Sequence, residues 1–196
     1  MTDGYQAEYY ETSKQFIDLS GIAFTGRILD VGGGGKGIIS QHSGDRVVAI
    51  DKRADELAET PDIGTKIVMD ACQLCFLDEY FDNITCFYVL MYMDLRQIEQ
   101  FLHEAHRVLK DGGTLWIWDA VIPANPKSDV FVAQLSVKVS GELTISTGYG
   151  VSWDKELSLK MIEEFCEREG FSLLASQGST EAFSLCLCKG LTDSIA

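Results

Sequence analysis

Residues 28–40 read ILDVGGGGKGIIS: an apolar run, four consecutive glycines, a lysine, a fifth glycine and a second apolar run. Glycine carries no Cβ, so a turn of this kind lets backbone N–H groups come close to a ligand, and the start of the following helix adds partial positive charge. A strand, a glycine turn and a helix start in that order make an anion or cofactor site at the end of a sheet strand. Gly32, Gly34 and Gly37 satisfy the GxGxxG spacing, and Asp51 follows Gly32 by 19 residues, where a dinucleotide fold keeps its ribose-binding acid. A small NAD(P)-binding Rossmann domain, acting as a reductase or a redox sensor, is therefore one reading of the turn.

The flanking pattern sets the class. RILDV (27–31), RVVAID (46–51), TKIVMDA (65–71), NITCFYVLMYM (83–93) and TLWIWDAVI (114–122) read as strands. KGIISQH, ADELAET (54–60) and DLRQIEQFLHEAHRVLK (94–110) read as helices between them. In the last, Ile98, Phe101, Leu102, Ala105 and Leu109 mark the buried side, Asp94 is a fitting N-cap, and Gly112-Gly113 a fitting stop. Alternation of this kind predicts an α/β fold, a doubly wound sheet covered on both faces. Residues 6–20 carry Tyr9, Phe16 and Leu19 at helical spacing and predict an amphipathic helix before the first strand. Residues 128–149 alternate with period two about a turn near SGE, which predicts a β-hairpin inserted after the fifth strand. SLKMIEEFCEREG (158–170) is a helix, and FSLLASQ and AFSLCLCKG close the chain as an antiparallel pair.

With 30 acidic against 16 basic side chains the formal charge is −14, which repels nucleic acid and anionic membranes. The polar start MTDGYQAEYYETSK has no signal-peptide core, and no stretch reaches the ~18 apolar residues of a membrane helix, so a cytoplasmic protein with reduced cysteines is expected. CQLC (72–75) has CxxC spacing but no second ligand pair, CLC (186–188) lies on a strand, and HEAH lacks the zincin spacing. Packing is the reading for each of these, and no metal is expected.

Asp30 stands two places before Gly32. With it the chain resembles the class I S-adenosylmethionine (SAM)-dependent methyltransferases, whose first strand ends in LDxGxGxG. VVAID resembles their second-strand motif. VMDACQLCFLDEYFDNIT resembles the run from the third strand into the fourth, and HEAHRVLKDGGTLWIWD the helix, glycine turn and fifth strand. The resemblance covers about residues 27–121 and, through strand pattern, the closing pair. It implies a Rossmann-like mixed seven-stranded sheet in the order 3-2-1-4-5-7-6, in one methyltransferase domain spanning 1–196 with the hairpin inserted at 124–150. The overall look is of small-molecule enzymes of the menaquinone-biosynthesis-like type. Lys36 occupies the place of the family's third glycine and Gly37 comes one residue later, so either the turn is one residue longer or Lys36 points outward.

SAM has no pyrophosphate and needs other anchors. The resemblance implies that Asp30 meets its ammonium directly or through water, that Gly32 and Gly34 let the adenosine pass, and that Asp51 accepts from the ribose diol. Asp70 would accept from the adenine amine, and the N–H of Ala71 or Cys72 would serve a ring nitrogen. Methyl transfer needs a general base only if the acceptor must lose a proton; Asp119, Tyr92 and Tyr149 are the candidates. The acceptor is expected to be a small molecule, and a non-catalytic SAM-binding module is the third reading. The hairpin's apolar positions, taken as Val130, Val132, Leu135, Val137 and Val139, must cover something. The mouth of the crevice, with TGYGVSW (147–153) as a lid, is the preferred object, and a dimer interface the alternative. Tyr5, Tyr9 and Tyr10 of the first helix would cover the cofactor from the other side.

Overall fold

The computed structural model describes residues 7–124 and 126–190. Tyr5 lies outside them. In chain order the elements are β1 (Tyr9–Glu11), β2 (Gln15–Asp18), β3 (Ile28–Val31), α1 (Ile38–Ser43), β4 (Val47–Asp51), α2 (Ala54–Glu59), β5 (Thr65–Val68) and β6 (Phe81–Phe87). There follow α3 (Leu95–Val108), β7 (Leu109–Ala120), β8 (Val130–Ser140), β9 (Leu143–Ser152), α4 (Leu159–Arg168), β10 (Phe171–Gly178) and β11 (Ala182–Lys189).

The main sheet is seven-stranded and mixed, in the order β10-β11-β7-β6-β3-β4-β5. Strands β3 to β7 are parallel, and β11 runs antiparallel to both β7 and β10. Strand β3 is buried along its whole length, as expected of a strand covered on both faces. The chain order reverses between β3 and β6. At such a switch point the connections leave in opposite directions and open a crevice beyond the carboxyl ends of the strands.

Asp94 caps α3 through a reciprocal pair. Its carboxylate accepts from the Gln97 N–H at 2.8 Å, and the Gln97 side chain accepts from the Asp94 N–H at 2.9 Å. The helix ends at Val108, earlier than the glycine pair implied. Leu109 is already in β7, opposite Phe81, and the strand runs on through Gly112-Gly113 with a register shift.

The described part of the segment at 6–20, residues 7–20, is not a helix. It forms β1 and β2, both pairing parallel to β8, with Tyr9 opposite Val130 and Gln15 opposite Leu135. Two of the three residues that marked the helix face are in solvent: Tyr9 is 65% and Phe16 67% exposed. Period two describes the segment better, because Thr12 is buried and Tyr10 packs on Phe131 and Trp153 with ring centroids 5.7 and 5.2 Å away. The free edge of β8 decides the matter by offering a ladder of backbone partners, as in Thr12 N–H to Val132 O and Leu19 N–H to Lys138 O, each 2.9 Å.

The inserted hairpin runs from Val130 to Ser152 as β8 and β9, paired antiparallel. Its buried face is Phe131, Ala133, Leu135, Val137 and Val139, all at most 1% exposed. Val130 and Val132 lie on the opposite face, since residues an odd number apart cannot share one side of a strand. The buried face packs over α1 and belongs to the same hydrophobic core as the main sheet. It is covered by its own chain.

Candidate functional site

A cleft of about 400 Å³ opens at the switch point. Four strand ends meet there: Val31-Gly32 after β3, Asp51 ending β4, Met69 to Cys72 after β5, and Phe87 to Val89 at the end of β6. Met93 and Gln97 come from the start of α3, and Tyr149 and Gly150 reach in from β9.

The glycine turn is built against its neighbours. At Gly32, φ is +67°, and a Cβ would sit 2.3 Å from Val89 Cγ2. At Gly34 a Cβ would sit 2.7 Å from Asp51 Oδ2 and 2.6 Å from Glu56 Cβ. Any side chain at either position would displace a wall of the cleft. Lys36 is exposed, and its carbonyl accepts from Gln41 Nε2 at 2.7 Å. Gly37, left-handed at φ +55°, is the N-cap of α1, and the lysine before it faces solvent.

Asp51 turns one oxygen to the Arg53 N–H at 2.9 Å and the other toward Gly34. Asp70 accepts from the Cys72 N–H at 2.9 Å, which takes that donor and leaves Ala71 as the neighbouring backbone group. Gly32, Gly34, Asp51, Asp70 and Ala71 all line the cleft. Asp30 does not. It is 2% exposed, lies under the turn against Gly33, and accepts from Thr85 Oγ1 at 2.8 Å. Burial pushes its pKa up to about 7, more than the Thr85 bond lowers it, and the Asp51 charge adds to the rise.

The three base candidates separate in the same way. Asp119 is wholly buried, with one oxygen accepting from the Leu90 N–H and the other from the Ala120 N–H, each at 2.8 Å. It holds the short 3₁₀ turn Leu90–Tyr92 against β7, and burial raises its pKa to about 7 despite those bonds. Tyr92 and Tyr149 line the cleft. Burial pushes the Tyr92 phenol up to about 12 and the Tyr149 phenol higher still. Tyr149 stacks on Tyr88 at 5.5 Å. Tyr88, Gln97, Lys52 and Glu56 line the cleft as well, and the sequence reading did not single them out. Gln97 had a signal: an N-cap at Asp94 starts a helix just beyond the β6 end. Tyr88 had none.

Among the described residues no group of three or more His, Cys, Asp or Glu could hold a metal ion, and no helix is long and apolar enough to cross a membrane. Cys72 lines the cleft while Cys75 is exposed. His103 sits by Glu169 and His106 packs edge-on to Phe171.

Residues 29–117 match the family described as a methyltransferase domain. The stretch from β3 to β7, a little under half of the chain, is therefore similar to a methyltransferase domain. The chain shares its fold with many solved structures. A putative methyltransferase from Bacillus halodurans is 17% identical, with 88% of this chain and 96% of that one covered and a TM-score of 0.62. A SAM-dependent methyltransferase from Methanosarcina mazei is 17% identical, with 84% and 92% covered and a TM-score of 0.58. The [4+2]-cyclase SpnF is 16% identical, with 88% and 78% covered and a TM-score of 0.64. No curated protein sequence matches the chain significantly. SAM is the cofactor that this resemblance implies, and the residues present suit that group: two acidic side chains at adjacent strand ends, a turn whose open side only glycine permits, and apolar walls from Ile50, Met69 and Met93. When bound, the cofactor supplies an electrophilic methyl group on a sulfonium.

Proposed function

We propose that this enzyme methylates a small-molecule acceptor and that the switch-point cleft holds the cofactor through Asp51, Asp70, Ala71, Gly32 and Gly34. The observation that carries the reading is convergence. Residues far apart in sequence, on the ends of β3, β4 and β5, line one cleft with two carboxylates and a glycine turn. Asp51 accepts from the ribose diol, Asp70 from the adenine amine, and the Ala71 N–H serves the purine ring. Asp30 acts from beneath: its carboxyl group supports the turn at Gly33 and reaches the ligand only through it or through water. Asp119 is a positioning residue for the Leu90–Tyr92 turn, because both its oxygens are committed to backbone donors. Tyr92 and Tyr149 remain neutral phenols that orient and desolvate the reacting groups. Within the superfamily the enzyme is of the small-molecule, menaquinone-biosynthesis-like type, a likeness that names no acceptor. Six free thiols suit the reducing cytoplasm.

Thermal denaturation with S-adenosylhomocysteine and with NAD tests this. S-Adenosylhomocysteine at ~100 times Kd should stabilise the protein by roughly 2.7 kcal/mol, and NAD should not. Asp51→Ala removes a charged acceptor worth about 1.5–3 kcal/mol and should weaken S-adenosylhomocysteine roughly tenfold to hundredfold in calorimetry. Unchanged affinity would reject the role given to Asp51, and stabilisation by NAD alone would reject the cofactor site.

A further inference from the structure

A second hollow, of about 440 Å³, lies at the same end of the sheet under β2, bounded by the start of β11 and the β10–β11 turn. Its lining and that of the cofactor cleft share one residue among those described, Tyr88. The wall between them is aromatic. Phe87 faces the cleft, Trp118 faces the second hollow, and Tyr88 stands in both, with Phe87 5.2 Å from Tyr88 and 5.7 Å from Trp118 between ring centroids. Tyr88 has φ +57°, a left-handed conformation rare for a bulky residue. Its hydroxyl donates to Gln15 Oε1, and Gln15 Nε2 donates to the Glu181 carbonyl at 3.2 Å, so the partition is tied to the roof by one side-chain bond.

A cleft of about 400 Å³ is near the low end of the ~300–1,000 Å³ that ligand pockets occupy, and the cofactor uses it. The acceptor needs separate space that adjoins it. The second hollow offers that space, and its chemistry selects. No lysine, arginine or histidine lines it, so a phosphate or carboxylate would be left unpaired. Two carboxylates, Asp18 and Glu181, do line it: Asp18 pairs with Lys138 at 3.3 Å, whereas Glu181 accepts, among the described residues, only from the uncharged Ser13 N–H and hydroxyl and so keeps the hollow negative, and Phe16 stands at its edge two-thirds exposed. Negative charge beside aromatic faces favours a cation. The cleft provides no carboxylate free to deprotonate a hydroxyl near the reacting face: Asp119 is committed to backbone donors, Glu56 pairs with Arg53 at 3.3 Å, and Asp51 and Asp70 lie at the nucleoside end. An amine needs no such base during transfer.

Resting on the methyltransferase reading above, we propose that this second hollow is the acceptor site, that the acceptor is an amine, and that Tyr88 is the partition it must pass. The bound ammonium gives one proton to water. The freed lone pair forms the new N–C bond as the S–C bond breaks with its electrons kept by sulfur, and the positive charge moves from sulfur to nitrogen.

Calorimetric titration with 2-phenylethylamine, 2-phenylethanol and phenylacetate tests the site with probes of one shape and three charges. The amine should bind at least roughly tenfold more tightly than the acid, with the alcohol between. Ser184→Phe fills the hollow from β11. It should weaken the amine by about tenfold or more while S-adenosylhomocysteine affinity stays within about twofold. Thr180→Trp, on the exposed turn, replaces it should Ser184→Phe fail to fold. No amine binding, equal binding of amine and acid, or a filling variant that leaves amine affinity unchanged each overturns the proposal. Loss of S-adenosylhomocysteine binding by the unaltered protein would instead overturn the cofactor reading on which it rests.

Discussion

Asp30 is a carboxyl group in a place where a charge is costly. Its two neighbours in the argument, Asp51 and Asp70, face the cleft, whereas Asp30 faces Thr85 and the underside of Gly33. Burial lifts its pKa from 3.8 to about 7. A carboxyl raised in the folded state holds a proton there that the unfolded chain has released, so its linkage contribution makes stability fall as pH rises. The loss runs from about pH 4 to pH 7 and is complete above that range. Asp30→Asn keeps an acceptor for Thr85 and removes the charge. The variant should therefore gain in Tm over the natural protein at pH 8 and gain much less at pH 5, in thermal unfolding at both. A gain of equal size at the two pH values would mean that Asp30 is ionised in the folded protein throughout. The acid and its spacing from the glycines were legible in LDVGGGG. Its orientation was not, because an acid at a strand end reads the same whether it faces a ligand or a neighbouring strand.

At the scale of elements, the hairpin is the test of how a local pattern finds its place. Alternation announced two strands, but a pair of strands is marginal alone and needs a third surface. That surface is α1 on one side and the edge pairing with β1 and β2 on the other. Leu135 is fully buried beneath it. Leu135→Ala should cost about 2–5 kcal/mol in urea denaturation, as truncation in a core does. Ser136→Ala, one residue along on the opposite face, should cost under about 0.5 kcal/mol. Equal, small effects would mean that the hairpin rests loosely outside the core. The helix expected at 6–20 failed for a related reason. Tyr9, Phe16 and Leu19 fit helical spacing, but the partner that settles the conformation is β8, more than a hundred residues away. By contrast, Asp94 and Gln97 carry their cap within four residues, and that helix start was readable.

Across the whole molecule the charge of −14 acts on every acidic patch at once. The ion pairs offset it little, because most are exposed, as Arg53–Asp55 and Lys160–Glu164 are. Self-repulsion should therefore win at low salt. Raising sodium chloride from ~10 to ~150 mM shortens the screening length from about 30 to about 8 Å. Stability should rise on the order of 1 kcal/mol, about 2–4 °C in Tm. A fall in Tm would mean that the pairs outweigh the repulsion.

The sequence by itself determined the α/β class, the strands of the main sheet and the hairpin, the glycine turn and the acids at strand ends, because each depends on contacts within a few residues or on a periodicity. It also carried the resemblance to the superfamily, since ILDVGGGG, VVAID and RVLKDGG keep their chemistry and their order. Only the tertiary structure decided which of those acids face one another across a cleft, which side of β8 is the core side, and that residues 9–18 form strands. It alone brought Tyr88 between two hollows, next to Gln15 from β2 and Trp118 from β7. Those outcomes depend on partners distant in the chain, and long-range pairing overrides local preference wherever backbone donors and apolar faces must all be satisfied at once.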